Sequence, residues 1–393
     1  MSTLGSRLDA ATGHLPAPLA VVDLDALDAN AADLVRRAGG TPVRVASKSV
    51  RVRAVLERTL ATPGFAGVMG YSLREALWLV GHGVTDVLLG YPTVDTAALD
   101  ALAADPVAAR SVTLMVDDLA QVDLAAKAAV AHGTTIQVCL DVDASLRVGL
   151  GPWRAHLGVR RSPVHSPADA GALAEQIARR DGIRVRGVMF YEAQVAGLPD
   201  TSPAVRAVKR LSLRDLASRR GLVVDAVQQA TGLPLELVNS GGSGSVQDSA
   251  ADGSVTEVTA GSGLFVPTLF DRYRSFEPRP AAFFGLDVVR VPAPGWVTAF
   301  GGGYIASGPP TASRQPRPVW PAGLTLTDRE GAGEVQTPMR VRGEADLRIG
   351  DRVWFRHAKS GEVMERFADV HLIRGEAIES TVPTYRGESH TFG

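Results

Sequence analysis

A (β/α)8 TIM barrel followed by a mainly β domain is the fold that this 393-residue chain predicts. Three observations carry it. Between residues 43 and 263, short β-branched runs alternate with Ala/Leu/Arg-rich amphipathic segments. After about residue 275 the alternation stops, and Pro- and Gly-dense sequence with short period-two runs takes over. An early run, LAVVD at 19–23, stands ahead of the first alternating unit.

The alternating region holds eight strand-like runs, at 43–48, 65–70, 84–90, 111–117, 136–142, 185–191, 235–239 and 255–260. Helical periodicity fills the gaps, as at 72–81, 119–131 and 168–180. Ser72 followed by Glu75 is a capping-box pattern at a helix start. Strands separated by helices pair in parallel through crossovers. Eight such units in roughly 220 residues match a barrel's usual scale of ~250; an open doubly wound sheet is the alternative. Beyond residue 275, runs at 284–291, 350–356 and 367–373 read as strands of a separate β domain. The 19–23 strand is expected to join that domain, with a helix over 25–38 leading into the barrel. The division is then 25–275 for the barrel and 1–24 plus 276–393 for the β domain.

Lys plus Arg total 41 against 42 Asp plus Glu, so the charge balance points to neither nucleic acid nor an anionic membrane as partner. The single cysteine, Cys139, rules out an intrachain disulfide and a Cys-rich metal site, and its apolar neighbours make it a core residue. The first 16 residues lack a basic segment followed by an apolar one. No apolar stretch approaches the ~20 residues that span a bilayer. The expectation is a cytoplasmic protein.

Barrel chemistry gathers at the C-terminal ends of the strands. Strand one delivers Lys48 between Ser47 and Ser49; strand five runs into Asp141, Asp143 and Arg147; strand six ends in Tyr191, Glu192 and Gln194. Strands seven and eight end in NSGGSGS (239–245) and AGSG (260–263). Those two loops are where barrels commonly bind phosphate, and Gly lets backbone N–H groups approach an anion closely. Neither loop holds Lys or Arg, so the cradle would be one of neutral dipoles. A lysine facing a phosphate cradle suits pyridoxal phosphate, because a desolvated lysine amine can form a Schiff base.

In this order and on these strands, the motifs resemble the pyridoxal-phosphate enzymes with an alanine-racemase N-terminal-type barrel, called fold type III. Among those they are most similar to the D-threonine aldolase and D-serine dehydratase group. LAVVDLDALDAN is similar to the family's opening strand and helix, LDVDASLRVGLG (140–151) to its arginine segment, and GVMFYEAQVAG (187–197) to its Tyr-Glu-Gly-His segment. The resemblance implies that Lys48 holds the cofactor and acts as general acid/base. It implies Arg147 on the cofactor's phenolic oxygen and Tyr191 beside the ring. Ser240, Gly242, Ser243, Gly244, Gly261 and Ser262 would hold the phosphate, and the chain would form a homodimer.

Departures from the family pattern concern the metal. The group places a histidine and, two residues later, an Asp or Cys on a divalent cation. Here His357 is present but the second position is Lys359. His357 is then a metal ligand without a known second ligand, and His357 and Lys359 are candidate catalytic groups at the substrate hydroxyl. Asp369 and His371 are another same-face pair. Gln194 stands where the group has His. The implied activity is a lyase acting on a D- or Cα-substituted 3-hydroxy amino acid by retro-aldol cleavage. Alternatives are a dehydratase giving keto acid and ammonia, a racemase using Tyr304 or Tyr385 as second base, and a non-catalytic pyridoxal-phosphate protein.

Overall fold

The computed structural model describes residues 3–149, 155–274, 276–277, 279–309, 311–343 and 345–393. Leu150 and Gly151, the end of the arginine motif, lie outside the described residues.

Strand β1 (Leu19–Asp23) precedes the barrel. The first barrel strands are β2 (Val43–Ala46), β3 (Phe65–Gly70), β4 (Val87–Leu89), β5 (Val112–Val116) and β6 (Ile136–Val142). A small antiparallel ribbon follows, β7 (Leu146–Val148) with β8 (Ala155–Leu157). Then come β9 (Ile183–Phe190), β10 (Leu237–Ser240) and β11 (Glu257–Ala260). The eight barrel strands are all parallel, and β11 pairs with β2 to close the ring. These are the eight runs read from the sequence. Strand one is shorter than expected: it ends at Ala46, and Ser47–Ser49 is a 3-10 turn.

The helices begin where local chemistry satisfies their free N–H groups. Asp23, the last residue of β1, accepts from Asp25 and Ala26 N–H to start Leu24–Ala38, and Gly39 ends it at φ 59°. Ser72 caps Leu73–Gly81 through Glu75 N–H, while the Glu75 carboxylate turns back to Tyr71 N–H. The expected helices at 119–131 and 168–180 are Leu119–His132 and Pro167–Ala178.

The C-terminal domain contributes β12 (Ala282–Ala293), β13 (Trp296–Phe300), β14 (Arg317–Trp320), β15 (Leu324–Leu326), β16 (Gln336–Val341), β17 (Arg352–Arg356), β18 (Asp369–Arg374) and β19 (Ala377–Pro383). Strand β1 lies inside this sheet, antiparallel to β12 and parallel to β18. Five of these strands, β13 to β16 and β19, carry no clear alternation in sequence. Pro318 and Pro338 interrupt two of them.

An ionic plug seals the N-terminal end of the barrel. Arg44 is fully buried, 2.5 Å from Glu257 and 2.7 Å from Asp86, which also pairs with Arg186. Above it Leu88, Met115, Cys139, Met189 and Leu237 pack the interior, so Cys139 is a core residue as expected. The cavity is left at the opposite end, where the strand C-termini point.

Candidate active site

A cavity of about 1270 Å³ opens at the C-terminal ends of the strands and is roofed by the β domain. Its barrel side includes Lys48, Tyr91, Arg161, Tyr191, Asn239, Gly242, Ser243, Gly261 and Ser262. Lys359, Ser360 and Glu362 face it from the β domain.

Lys48 reaches the cavity because the chain turns immediately after β2. Two serines pin that turn: Ser47 Oγ donates to Met69 O at 3.1 Å, and Ser49 Oγ lies 3.0 Å from Ser262 Oγ. The Lys48 amine donates to the Tyr91 hydroxyl and lies 5.1 Å from that ring's centre. Arg161 stacks on the same group of aromatics, 5.7 Å from Tyr91 and 5.3 Å from Tyr191. Burial raises the Tyr191 hydroxyl above its ordinary pKa, while the charges of Lys48 and Arg161 act in the opposite sense.

The two Gly/Ser loops lie side by side on the cavity wall. Ser243 Oγ accepts from Gly263 N–H at 2.8 Å and from Gly261 N–H at 3.3 Å, tying one loop to the other. A Cβ on Gly261 would sit 2.6 Å from Ala46 O, and one on Gly242 2.8 Å from Ala196 Cβ. Both positions therefore exclude a side chain where the loops line the cavity, and their N–H groups are held by Ser245 Oγ and Ser243 Oγ. Gly242, Ser243, Gly261, Ser262, Tyr191 and Lys48 all line it, and together they suit a phosphorylated aldehyde: an amine for the carbonyl and backbone dipoles for the phosphate.

Other expected residues lie elsewhere. Ser240 is the last residue of β10 and faces outward: Arg220 donates to its Oγ, which lies 2.9 Å from Glu192 Oε2. The phosphate expectation for it is corrected, because alternate strand residues point to opposite faces and Asn239 takes the inner one. Gly244 is also outside the cavity lining; a Cβ there would be 2.5 Å from both Ala196 O and the Tyr273 ring. Arg147 is likewise outside the cavity lining; it pairs with Asp143 at 2.7 Å and lines an adjoining hollow that Arg161 also lines. Arg161, which the motif did not single out, faces the cavity instead. Gln194 is buried and donates to Ala144 O at 2.6 Å, so it braces the loop after β6.

His357, the expected metal ligand, does not gather with other metal-ligating side chains among the described residues. The ring is buried behind Ser360, whose Oγ is 3.3 Å from Nε2, and it does not line the cavity. Burial pushes its pKa down to about 3, leaving a neutral imidazole with no hydrogen bond at Nδ1 among the described residues. Lys359 is half exposed at the rim, donating to Ser307 Oγ at 2.6 Å beside Glu362. Asp369 and His371 lie on β18, away from the cavity, and His371 bonds Thr381. Among the described residues no cluster of three or more His, Cys, Asp or Glu could hold a metal. Tyr304 packs on Phe284 and Phe367, and Tyr385 donates to buried Glu75, so neither lines the cavity.

Tyr91 was overlooked although it stands two residues after β4, where the strand-end rule that found Lys48 applies equally. Arg161 had no such signal, since it arrives from the irregular excursion after β6.

Fold and site together define a (β/α)8 barrel with a lysine at the end of its first strand and a glycine-lined cradle after its last two. Residues 22–268 match the alanine racemase N-terminal domain, and the chain belongs to that family. It is 25% identical to a 3-hydroxy-D-aspartate aldolase of Paracoccus denitrificans (strain Pd 1222), over 67% of this chain; the chain spans 64% of that protein's length. Among solved structures it is similar to D-threonine aldolase from Filomicrobium marinum, with TM-score 0.80 and 22% identity over 95% of this chain and 96% of the other. D-threo-3-hydroxyaspartate dehydratase from Delftia sp. HT23 follows at TM-score 0.72, 22% identity, and coverage of 94% and 97%. No described helix is long and apolar enough to cross a membrane.

Proposed function

We propose that this protein is a pyridoxal-phosphate-dependent lyase that cleaves a D-configured 3-hydroxy amino acid to an aldehyde and a smaller amino acid. The observation that carries the reading is the Lys48 amine in the same cavity as the two bare-backbone loops after β10 and β11. The aldolase relative supports the bond broken. When bound, pyridoxal phosphate supplies an aldehyde for amine exchange and an electron sink for the bond broken at Cα.

The chain's own residues would do the rest. Gly242, Ser243, Gly261 and Ser262 hold the phosphate, and Tyr191 packs beside the ring. Lys48, hydrogen-bonded to Tyr91, would carry and return a proton at the reacting carbon. Arg161, held against Tyr91 and Tyr191, would supply a fixed positive charge in the cavity where the motif pointed to Arg147. Lys359 at the mouth carries the charge available to a substrate hydroxyl. The roof of the β domain limits water: Gly361 approaches the Lys48 backbone so closely that a Cβ there would lie 1.8 Å from Lys48 O. The protein is proposed to work as a cytoplasmic homodimer, which a size measurement at micromolar concentration checks.

A screen of D- and L-3-hydroxy amino acids tests the activity, following aldehyde and keto acid in parallel. Aldehyde is the expected product. Keto acid plus ammonia would replace the reading with dehydration, the activity named for the Delftia structure. No product and no amine-dependent change in the cofactor's absorption would leave a binding protein.

A further inference from the structure

Glu192 carries no role in the proposed reaction, yet it is wholly buried immediately beneath the loop after β10. Its carboxylate gathers that loop onto itself. Ser245 Oγ donates to Oε1 at 2.8 Å, and Ser249 Oγ donates to the same oxygen. On Oε2, Gly241 N–H donates at 3.2 Å, Ser240 Oγ lies at 2.9 Å, and the Arg220 guanidinium lies at 3.6 Å. Ser245 passes the hold onward, because its Oγ also accepts from Gly242 N–H at 3.1 Å.

The serines of NSGGSGS are therefore divided. Only Ser243 lines the cavity, while Ser240 and Ser245 are tethers that point backward to one carboxylate. A glycine-rich loop left to itself samples many backbone conformations. Glu192 removes that freedom at Ser240, Gly241, Ser245 and Ser249 directly, and at Gly242 through Ser245. Arg220, which also pairs with Asp252 at 2.8 Å, offsets a negative charge placed behind an anion site.

We propose that Glu192 is the positioning residue of the phosphate cradle: it holds the Gly241 N–H directly and the Gly242 N–H through Ser245, and so sets how Ser243 faces the cavity. This deepens the proposed function and rests on it. Its consequence is specific: the Glu192 network stabilises the phosphate of the cofactor and is indifferent to the pyridine ring.

The test compares the affinities of pyridoxal phosphate and of pyridoxal, which lacks the phosphate, by absorbance titration of the unloaded protein. In Glu192→Ala the affinity for pyridoxal phosphate is expected to fall by roughly tenfold or more, the equivalent of one lost charge-assisted hydrogen bond. Affinity for pyridoxal is expected to stay within about twofold of wild type. Unchanged affinity for both, or an equal loss for both, overturns the proposal; an equal loss marks a general structural role. Ser245→Ala, a milder change, is expected to shift the same ratio in the same direction should Glu192→Ala not fold, and an unmoved ratio there also overturns it. Wild-type protein that binds neither compound overturns the proposed function instead.

Discussion

Asp141 is a carboxyl whose ionisation the fold opposes, and replacing it with Asn should change how stability depends on pH. It lies at the end of β6, largely buried, and burial chiefly raises its pKa from 3.8 to about 7. Asp117 and Asp143 push in the same direction, and Arg161 only partly offsets them. In the unfolded chain the carboxyl ionises at its ordinary value. Between pH 4 and 7 the unfolded state therefore sheds a proton that the folded state keeps, and folded stability falls as pH rises through that window. One decade in proton affinity is about 1.4 kcal/mol, so the full displacement costs the folded state about 4 kcal/mol above pH 7. Asp141→Asn removes this slope. Its own amide adds a cost that does not vary with pH. The assay is urea unfolding of the cofactor-free protein between pH 4.5 and 8, comparing the variant with wild type. Relative to wild type, the variant should gain about 3–4 kcal/mol from the acid to the alkaline end. A difference that stays constant within about 1 kcal/mol across that range would refute the reasoning.

Three further outcomes follow from the same geometry. Arg161→Ala should lower kcat/KM by roughly 100-fold, the usual scale for losing one charge at a reacting centre, while Arg147→Ala changes it by less than about threefold; the reverse order in steady-state kinetics would return the role to Arg147. Gly261→Ala places a Cβ 2.6 Å from Ala46 O, so β2 and the loop after β11 must separate, and affinity for pyridoxal phosphate by absorbance titration should drop at least tenfold. Dialysis against a chelator should leave turnover unchanged, because among the described residues no three His, Cys, Asp or Glu side chains gather as a cation site; loss of activity restored by added divalent metal would show that other ligands are used.

Much of the barrel was legible because its signals are local. Each strand run is five to seven residues of largely apolar sequence, visible without knowing its partner. Lys48 and the two glycine loops were found by the rule that barrel chemistry lies at strand ends. The same rule, applied to strand four, would have found Tyr91. The β domain was harder, since β14 and β16 contain proline and β15 is three residues long, and such strands exist only because neighbours pair with them.

Residue type and position by themselves determined that Lys48 reaches the cavity and that bare backbone faces it, since both follow from where a strand stops and where glycine recurs. Tertiary structure decided which way the remaining polar groups point. Asp143 holds Arg147 back and leaves the cavity to Arg161. Glu192 draws Ser240 and Ser245 away from the cavity to anchor the loop. Ser360 and Phe265 enclose His357 where a motif match alone had placed a metal. The physical reason is common to all three: the orientation of a buried polar side chain is set by the hydrogen-bond partner nearest to it in space, and those partners lie from 3 to 53 residues away along the chain.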